Sequence, residues 1–132
     1  MFEDSPALYL ARRDAYAAFL AAADAEAHVA WFRGDGRYAD EAAAVAAVDR
    51  AYAATRGAFA PIEVEGLGPA PEGRGLLDGL AALHRDGGAR PDWKAFKAAR
   101  EGFVAAARAA LQGFRNGQSQ PRSVTEGGAD AR

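Results

Sequence analysis

The feature that most constrains the fold is alanine, which supplies 36 of the 132 residues and fills long runs without a turn signal. Alanine is the strongest helix former because it loses no side-chain entropy in a helix and buries no polar group. It also presents only a methyl group to a neighbouring element, so alanine-lined helices can approach each other closely. The sequence therefore predicts an all-α protein with a thin core of aromatic side chains packed against alanine.

The first predicted helix has a clear start and end. Ser5 and Pro6 are typical of a helix N-terminus, and helical periodicity follows over residues 7–32. The glycines of "RGDGR" favour the left-handed backbone that ends a helix. The residues predicted to share the inward face are Leu8, Tyr9, Tyr16, Phe19, Leu20, Ala23, Ala27, Ala30 and Trp31.

A second helix is predicted to begin after Asp40, a residue typical of a helix cap. The short connection makes the first two helices an antiparallel hairpin. Pro61 removes a backbone donor, so we expect this helix to end or kink there. Its predicted seam is Val45, Val48, Tyr52, Thr55, Phe59 and Ile62. The stretch "GAFAPIEVEGLGPAPEGRGLLDGL" lacks the lysine and hydroxyl of a phosphate-binding loop, and we interpret it as the connector between two hairpins.

A short third helix is predicted from about Gly73 to Arg85, and a fourth, capped by Asp92, from Trp93 to about Phe114. The resulting fold is a four-helix bundle of two antiparallel helical hairpins, with one domain over residues 1–115. Residues 116–132 show no apolar periodicity and are predicted to be a disordered tail.

Three segments carry a family resemblance: "RRDAYAAFLAAAD", "AFAPIEVEGLGP" and "DWKAFKAAREGFVAAARAAL". They resemble stretches of small, uncharacterised alanine-rich helical proteins of actinobacteria, over residues 8–112. The motifs are packing patterns, so the resemblance implies a helical fold and no activity or site. Pro61 departs from the continuous second helix that this group implies.

Several chemistries are disfavoured by the residues present. The chain has no cysteine, which excludes disulfides and thiol catalysis. Asp24 and His28 have a spacing that can grip a metal, but both are expected to face solvent, and His84 is expected to be partly buried with a backbone partner. We therefore predict no enzyme activity, no cofactor and no metal. With no signal peptide or membrane-spanning run, we expect a cytoplasmic protein without a membrane partner.

Charge is unevenly distributed along the chain. Residues 93–115 carry five basic residues against Glu101 alone, a balance of +4, so the remainder carries −6 of the total of −2. Lys94, Lys97, Arg108 and Arg115 fall on one side of the fourth helix. They form either a solvated face or a binding surface for an acidic protein partner or a second copy, whereas nucleic acid is unlikely because the rest of the molecule is acidic.

Arg12 and Arg100 fall among inward-facing residues of their helices. Either each reaches solvent along its stem or pairs with an acid such as Glu26 or Glu41, or both line a ligand pocket. The candidate pocket comprises Arg12, Tyr16, Tyr52 and Arg100. The sequence thus predicts a non-catalytic interaction or regulatory module, one form of which is a homodimer that covers the flank beside the short third helix. The alternative is a small-molecule-binding bundle with an arginine- and tyrosine-lined cavity.

Overall fold

In the computed structural model, residues 6–119 are described, with side chains through residue 115. The elements are four α-helices and a one-turn 3-10 helix: α1 Pro6–Gly34, α2 Glu41–Glu65, α3 Ala70–Leu83, the 3-10 helix Arg85–Gly88 and α4 Trp93–Ser119. No strand occurs within these residues. The all-α prediction is confirmed.

The predicted caps start α2 and α4. The Asp40 carboxylate accepts a hydrogen bond from the Ala43 amide at 2.8 Å, and the Asp92 carboxylate accepts one from the Ala95 amide at 3.0 Å. Each bond satisfies one of the amides that a helix N-terminus leaves without an internal partner. Gly36, with φ 70°, turns the chain after α1 as the sequence predicts, whereas Ser5 lies outside the described residues.

The helices form two antiparallel hairpins, as predicted. Contacts between α1 and α2 join Arg12 to Glu65 at one end and Arg33 to Glu41 at the other. In the second hairpin, the amide that precedes α4 donates to the Ala82 carbonyl at the end of α3. The two hairpins are joined through α1, which contacts both α3 and α4.

The core lies where aromatic rings from three helices meet. The Phe19 ring centroid lies 4.9 Å from that of Phe59 and 5.1 Å from that of Phe103. From α3, the buried leucines Leu76, Leu80 and Leu83 complete this centre. Helices α3 and α4 approach closely at Gly79, where an added Cβ atom would lie only 3.2 Å from the Phe96 Cα.

The expectation that α2 ends at Pro61 is wrong, because the helix continues to Glu65 and closes at Gly66 with φ 70°. Pro61 lies on the exposed side of the helix, where water can bond the carbonyl that loses its donor. Buried Phe59 and Ile62 hold the helix against the core on either side of the proline. Most of the stretch interpreted as a connector is therefore helical, and only residues 66–69 link the two hairpins.

The predicted seam of α2 is correct at its C-terminal end and wrong at its N-terminal end. Val45 and Tyr52 are 41% and 49% exposed, whereas Ala44 and Ala47 are buried. Alanine methyls form this part of the contact with α1 because they let the two backbones approach. The larger side chains of Val45 and Tyr52 are left on the outer face.

The remaining boundaries differ by a few residues. The third helix begins at Ala70, before the predicted Gly73, because a proline is compatible with the first turn of a helix. The fourth continues past Phe114 to Ser119, so the backbone of residues 116–119 is helical. The rest of the predicted disordered tail, residues 120–132, lies outside the described residues. No helix within the described part of the chain is long and apolar enough to cross a membrane.

Candidate functional site

The four basic residues predicted to bind a partner are all exposed on α4. They are Lys94, Lys97, Arg108 and Arg115, which we call the basic stripe. At about 100° per residue they fall within about 60° of one another, and Glu101 is exposed among them. Within the described side chains, no ion pair forms at Lys94, Lys97 or Arg108. These three charges are therefore available to a partner.

An apolar groove runs beside the basic stripe, between α1 and α4. It encloses about 240 Å³ and has buried Phe103 as its floor. Leu20 from α1 faces Val104 and Leu111 from α4 across it. The other residues that line it are Arg13, Tyr16, Ala17, Ala107 and Arg108. Arginines from opposite walls thus flank an apolar trough, and we call this region the α1–α4 groove.

Two contacts between α1 and α4 bracket the groove. Towards one end, the Arg100 guanidinium donates two hydrogen bonds of 2.8 Å to the Asp24 carboxylate. Towards the other, the Tyr9 and Phe114 rings stack at a centroid distance of 5.8 Å. The hydrogen bonds to Asp24 raise the pKa of Arg100 above its ordinary value, so the guanidinium is charged at any physiological pH.

A second concavity, of about 290 Å³, lies where α1, α4 and the 66–69 link meet. The Arg12 Nε and Nη2 atoms each lie 2.8 Å from the same Glu65 oxygen. The Arg12 guanidinium carbon also stands 5.2 Å from the Phe114 ring centroid. The remaining lining residues are Tyr16, Leu67, Gly68, Ala110 and Leu111. We call this concavity the Tyr16 cleft.

The structure brings together only two of the four residues predicted to form a ligand pocket. Arg12 and Tyr16 both line the Tyr16 cleft. Tyr52 instead lies on the outer face of α2, where its ring centroid is 3.7 Å from the Arg56 guanidinium carbon. Arg100 is held by Asp24 at the edge of the α1–α4 groove. Both arginines pair with acids, Arg12 with Glu65 and Arg100 with Asp24. The acids suggested by the sequence, Glu26 and Glu41, bind other residues.

A buried acid–imidazole contact links α1 to the end of α3. The Glu26 carboxylate is 1% exposed and lies 2.8 Å from the His84 Nε2 atom. Glu26 Oε1 and His84 Nδ1 are both buried without a hydrogen-bond partner among the described residues. His84 is partly buried as predicted, but its ring bonds a carboxylate and not a backbone group. The inward helical angle of Glu26 was the available signal for this contact.

The end of α1 carries a surface cluster of aromatic rings that the sequence did not predict. His28 lies 4.5 Å from Phe32 between ring centroids, and Phe32 lies 6.0 Å from Tyr38. Trp31, predicted to face inward, is 46% exposed and stacks with Arg37 at 5.3 Å. His28 is exposed as expected, and the Asp24 side chain is 44% exposed while it also bonds Arg100. Among the described residues, no three acidic, histidine or cysteine side chains group closely enough to hold a metal ion.

Comparison with known proteins identifies no relative: no protein-family model, no curated protein and no solved structure matches this chain. The resemblance to actinobacterial helical proteins stays a prediction.

Proposed function

We propose that this protein is a non-catalytic interaction module that binds an acidic amphipathic helix of a partner protein along the basic stripe and the α1–α4 groove. The observation that carries the proposal is the set of exposed cations at Lys94, Lys97 and Arg108, which form no ion pair with the described side chains. The chain outside residues 93–115 has a charge of −6. The basic stripe would attract the carboxylates of such a partner helix, and the α1–α4 groove would bury its apolar face.

The apolar part of the groove supplies the second half of this complementarity. Phe103, at 1% exposure, is already part of the core, whereas Leu20, Val104 and Leu111 are only partly covered by the bundle. A helix laid between α1 and α4 would remove those side chains from water, and each square ångström of apolar surface buried contributes about 25 cal/mol. The cations at the rim would then set orientation and association rate more than affinity.

Binding is favoured over catalysis by what lines the groove. Its side chains are apolar, cationic or, at Tyr16, a phenol. They supply the contacts of a docking surface and no nucleophile paired with a base. The predicted absence of enzyme activity and the cytoplasmic location stay predictions.

A second copy of the chain is the competing occupant. The outer face of α2 exposes Val45 and Tyr52 beside Asp49, so it is itself an acidic helix face with apolar members. We place the partner protein first because Arg50 and Arg56 also lie on α2 and would oppose the stripe. The homodimer is therefore one outcome of the test.

The test uses a synthetic peptide that forms an amphipathic helix with leucines on one face and glutamates on the other. We expect fluorescence anisotropy to show saturable binding that weakens as salt increases. The double variant Lys94→Glu/Lys97→Glu should weaken this binding by roughly tenfold or more, because two attractions become repulsions. The matched control, Arg50→Glu/Arg74→Glu, makes the same change in net charge at exposed positions outside the stripe.

Three results would contradict the proposal: no binding of the peptide, equal binding of a scrambled peptide, or equal weakening by the two double variants. Sedimentation of the protein alone then addresses the second copy. A dimer that dissociates in Lys94→Glu/Lys97→Glu and persists in the control would replace the acidic partner with self-association. Binding of a DNA duplex that is lost in the same variant would replace it with nucleic acid.

A further inference from the structure

The hydroxyl of Tyr16 has no hydrogen-bond partner among the described residues, and its side chain borders the Tyr16 cleft. Tyr16 is only 6% exposed, and its ring packs edge-on against Phe103 at a centroid distance of 6.4 Å. Buried tyrosines normally place the hydroxyl on a hydrogen-bond partner. Within the described residues, Tyr16 is an exception to this rule.

The backbone of the 66–69 link passes close to this hydroxyl at Gly68. Gly68 has φ 58°, and a Cβ at that position would lie 2.8 Å from the Tyr16 oxygen and 3.4 Å from the Ala110 Cβ. Any other residue would therefore press on the hydroxyl and narrow the cleft. Burial, and secondly the Glu65 carboxylate, raise the pKa of Tyr16, and Arg12 lowers it by less. The phenol is thus a proton donor at neutral pH.

The charges of the cleft cancel each other. Arg12 uses Nε and Nη2 on one oxygen of Glu65, which leaves Arg12 Nη1 and Glu65 Oε1 without partners among the described residues. Glu65 is the last residue of α2. A carboxylate there opposes the negative end of the helix dipole, so its position is poor for helix stability. The pair therefore presents one free donor and one free acceptor beside the Tyr16 hydroxyl.

We propose that the Tyr16 cleft is a binding site for a small, neutral, planar molecule that carries an amide group. The ligand carbonyl accepts hydrogen bonds from the Tyr16 hydroxyl and Arg12 Nη1. The ligand N–H donates to Glu65 Oε1. The flat body of the ligand packs between Leu111 and Phe114, below Leu67, which is 58% exposed at the rim.

Neutrality follows from the Arg12–Glu65 pair. An anionic ligand would face the Glu65 carboxylate, and a cationic ligand would face the Arg12 guanidinium, and in this partly buried site either repulsion is weakly screened. An amide matches both free groups without breaking the pair. The volume of about 290 Å³ stands at the lower end of the range for small-molecule sites, so the ligand is one or two rings in size.

The test compares three single-ring probes of similar size: neutral benzamide, anionic benzoate and cationic benzylamine. Each is titrated into the full chain, and the backbone amide signals of residues near Gly68 and Ala110 are followed by NMR. We expect benzamide to bind at these residues at least about tenfold more tightly than either ion, because a buried like charge costs more than a neutral contact.

Two variants assign the binding to the cleft. Tyr16→Phe removes only the hydroxyl and should weaken benzamide binding by between about two- and tenfold. Its matched control is Tyr52→Phe, which removes an exposed hydroxyl on the outer face of α2 and should change nothing. Ala110→Leu fills the cleft and should abolish binding, while the remaining amide signals report an intact fold.

The inference is independent of the basic stripe. Lys94→Glu/Lys97→Glu should leave benzamide binding unchanged, so failure of either proposal can be told from failure of the other. Equal or tighter binding of benzoate or benzylamine would overturn the ligand class. An unchanged affinity in Tyr16→Phe, or no shift of the signals near Gly68 up to the solubility limit of benzamide, would overturn the site.

Discussion

Asp24 and Glu26 stand two positions apart on α1, and each bonds a basic side chain of the second hairpin in a very different setting. The Asp24 and Arg100 side chains are 44% and 38% exposed, and they share two hydrogen bonds of 2.8 Å. The Glu26 and His84 side chains are 1% and 17% exposed and share one contact. In the buried pair, an oxygen of Glu26 and a ring nitrogen of His84 have no hydrogen-bond partner in the described part of the chain.

The difference shows why similar contacts have unequal consequences. Water solvates the free lone pairs of an exposed ion pair, so such a pair contributes little and also costs little to lose. In the interior each polar atom without a partner costs free energy, and the remaining partner becomes indispensable. Glu26 and His84 therefore lock the end of α3 onto α1 at one register, whereas Asp24 and Arg100 only brace α1 against α4.

The largest expected effect comes from His84→Ala, which leaves the Glu26 carboxyl buried with no partner. We expect a loss of about 3–5 kcal/mol in the free energy of unfolding, measured by urea denaturation followed by circular dichroism. The control is Glu26→Leu/His84→Leu, which removes both polar groups. Its free energy of unfolding should equal that of the parent within about 1 kcal/mol, or exceed it. A double variant as unstable as His84→Ala would show that the pair does not control this site.

A smaller effect is expected at the exposed pair. Asp24→Asn keeps the shape of the side chain and removes its charge, so the free energy of unfolding should fall by no more than about 1 kcal/mol. The loss should shrink in high salt, because screening weakens the parent's pair. Urea denaturation at two salt concentrations measures both quantities. A loss as large as that in His84→Ala would contradict the distinction between buried and exposed pairs.

The smallest effect at neutral pH is expected from Tyr16→Phe, which removes a hydroxyl that borders the Tyr16 cleft and has no hydrogen-bond partner within the described residues. The free energy of unfolding should change by no more than about 0.5 kcal/mol. Burial and Glu65 raise the pKa of Tyr16 in the folded state. Its stabilising contribution is therefore complete below the unfolded-state pKa of about 10 and is lost as the pH rises through the folded-state value.

Alkaline denaturation checks this sign. The parent should lose stability more steeply above about pH 10 than Tyr16→Phe, and the difference in tyrosinate absorbance between the two proteins should show Tyr16 ionising above the ordinary tyrosine pKa. Identical alkaline profiles for the parent and the variant would mean that Tyr16 titrates as if it were in water.

Local patterns predicted much of the architecture. The caps at Asp40 and Asp92 and the turn at Gly36 depend on groups within a few residues of one another, so composition and spacing suffice to find them. Pro61 misled the prediction because a proline on the exposed side of a helix loses a hydrogen bond that water can replace. The local rule was correct about the missing donor, but tertiary packing of α2 outweighed it.

The candidate sites were only partly predictable for a related reason. The basic stripe follows from helical spacing on one element, and all four residues are exposed as expected. A pocket formed by several helices depends on how the helices are rotated relative to one another, which the sequence does not specify. Tyr52 is the example, because its predicted inward position was wrong. Its position in the seam was inferred from side-chain size, whereas alanines on the next face form the contact and leave it outside.

The sequence by itself determined that the chain is helical, which residues cap the starts of α2 and α4, where the chain turns after α1, and which face of α4 carries positive charge. Those properties arise from backbone propensity and from neighbours along one helix. Only the tertiary structure decided that Arg12 meets Glu65, that Arg100 meets Asp24 and that Glu26 is buried against His84. Such pairings depend on how closely and at what rotation the helices pack, and alanine, with only a methyl group, specifies that packing weakly.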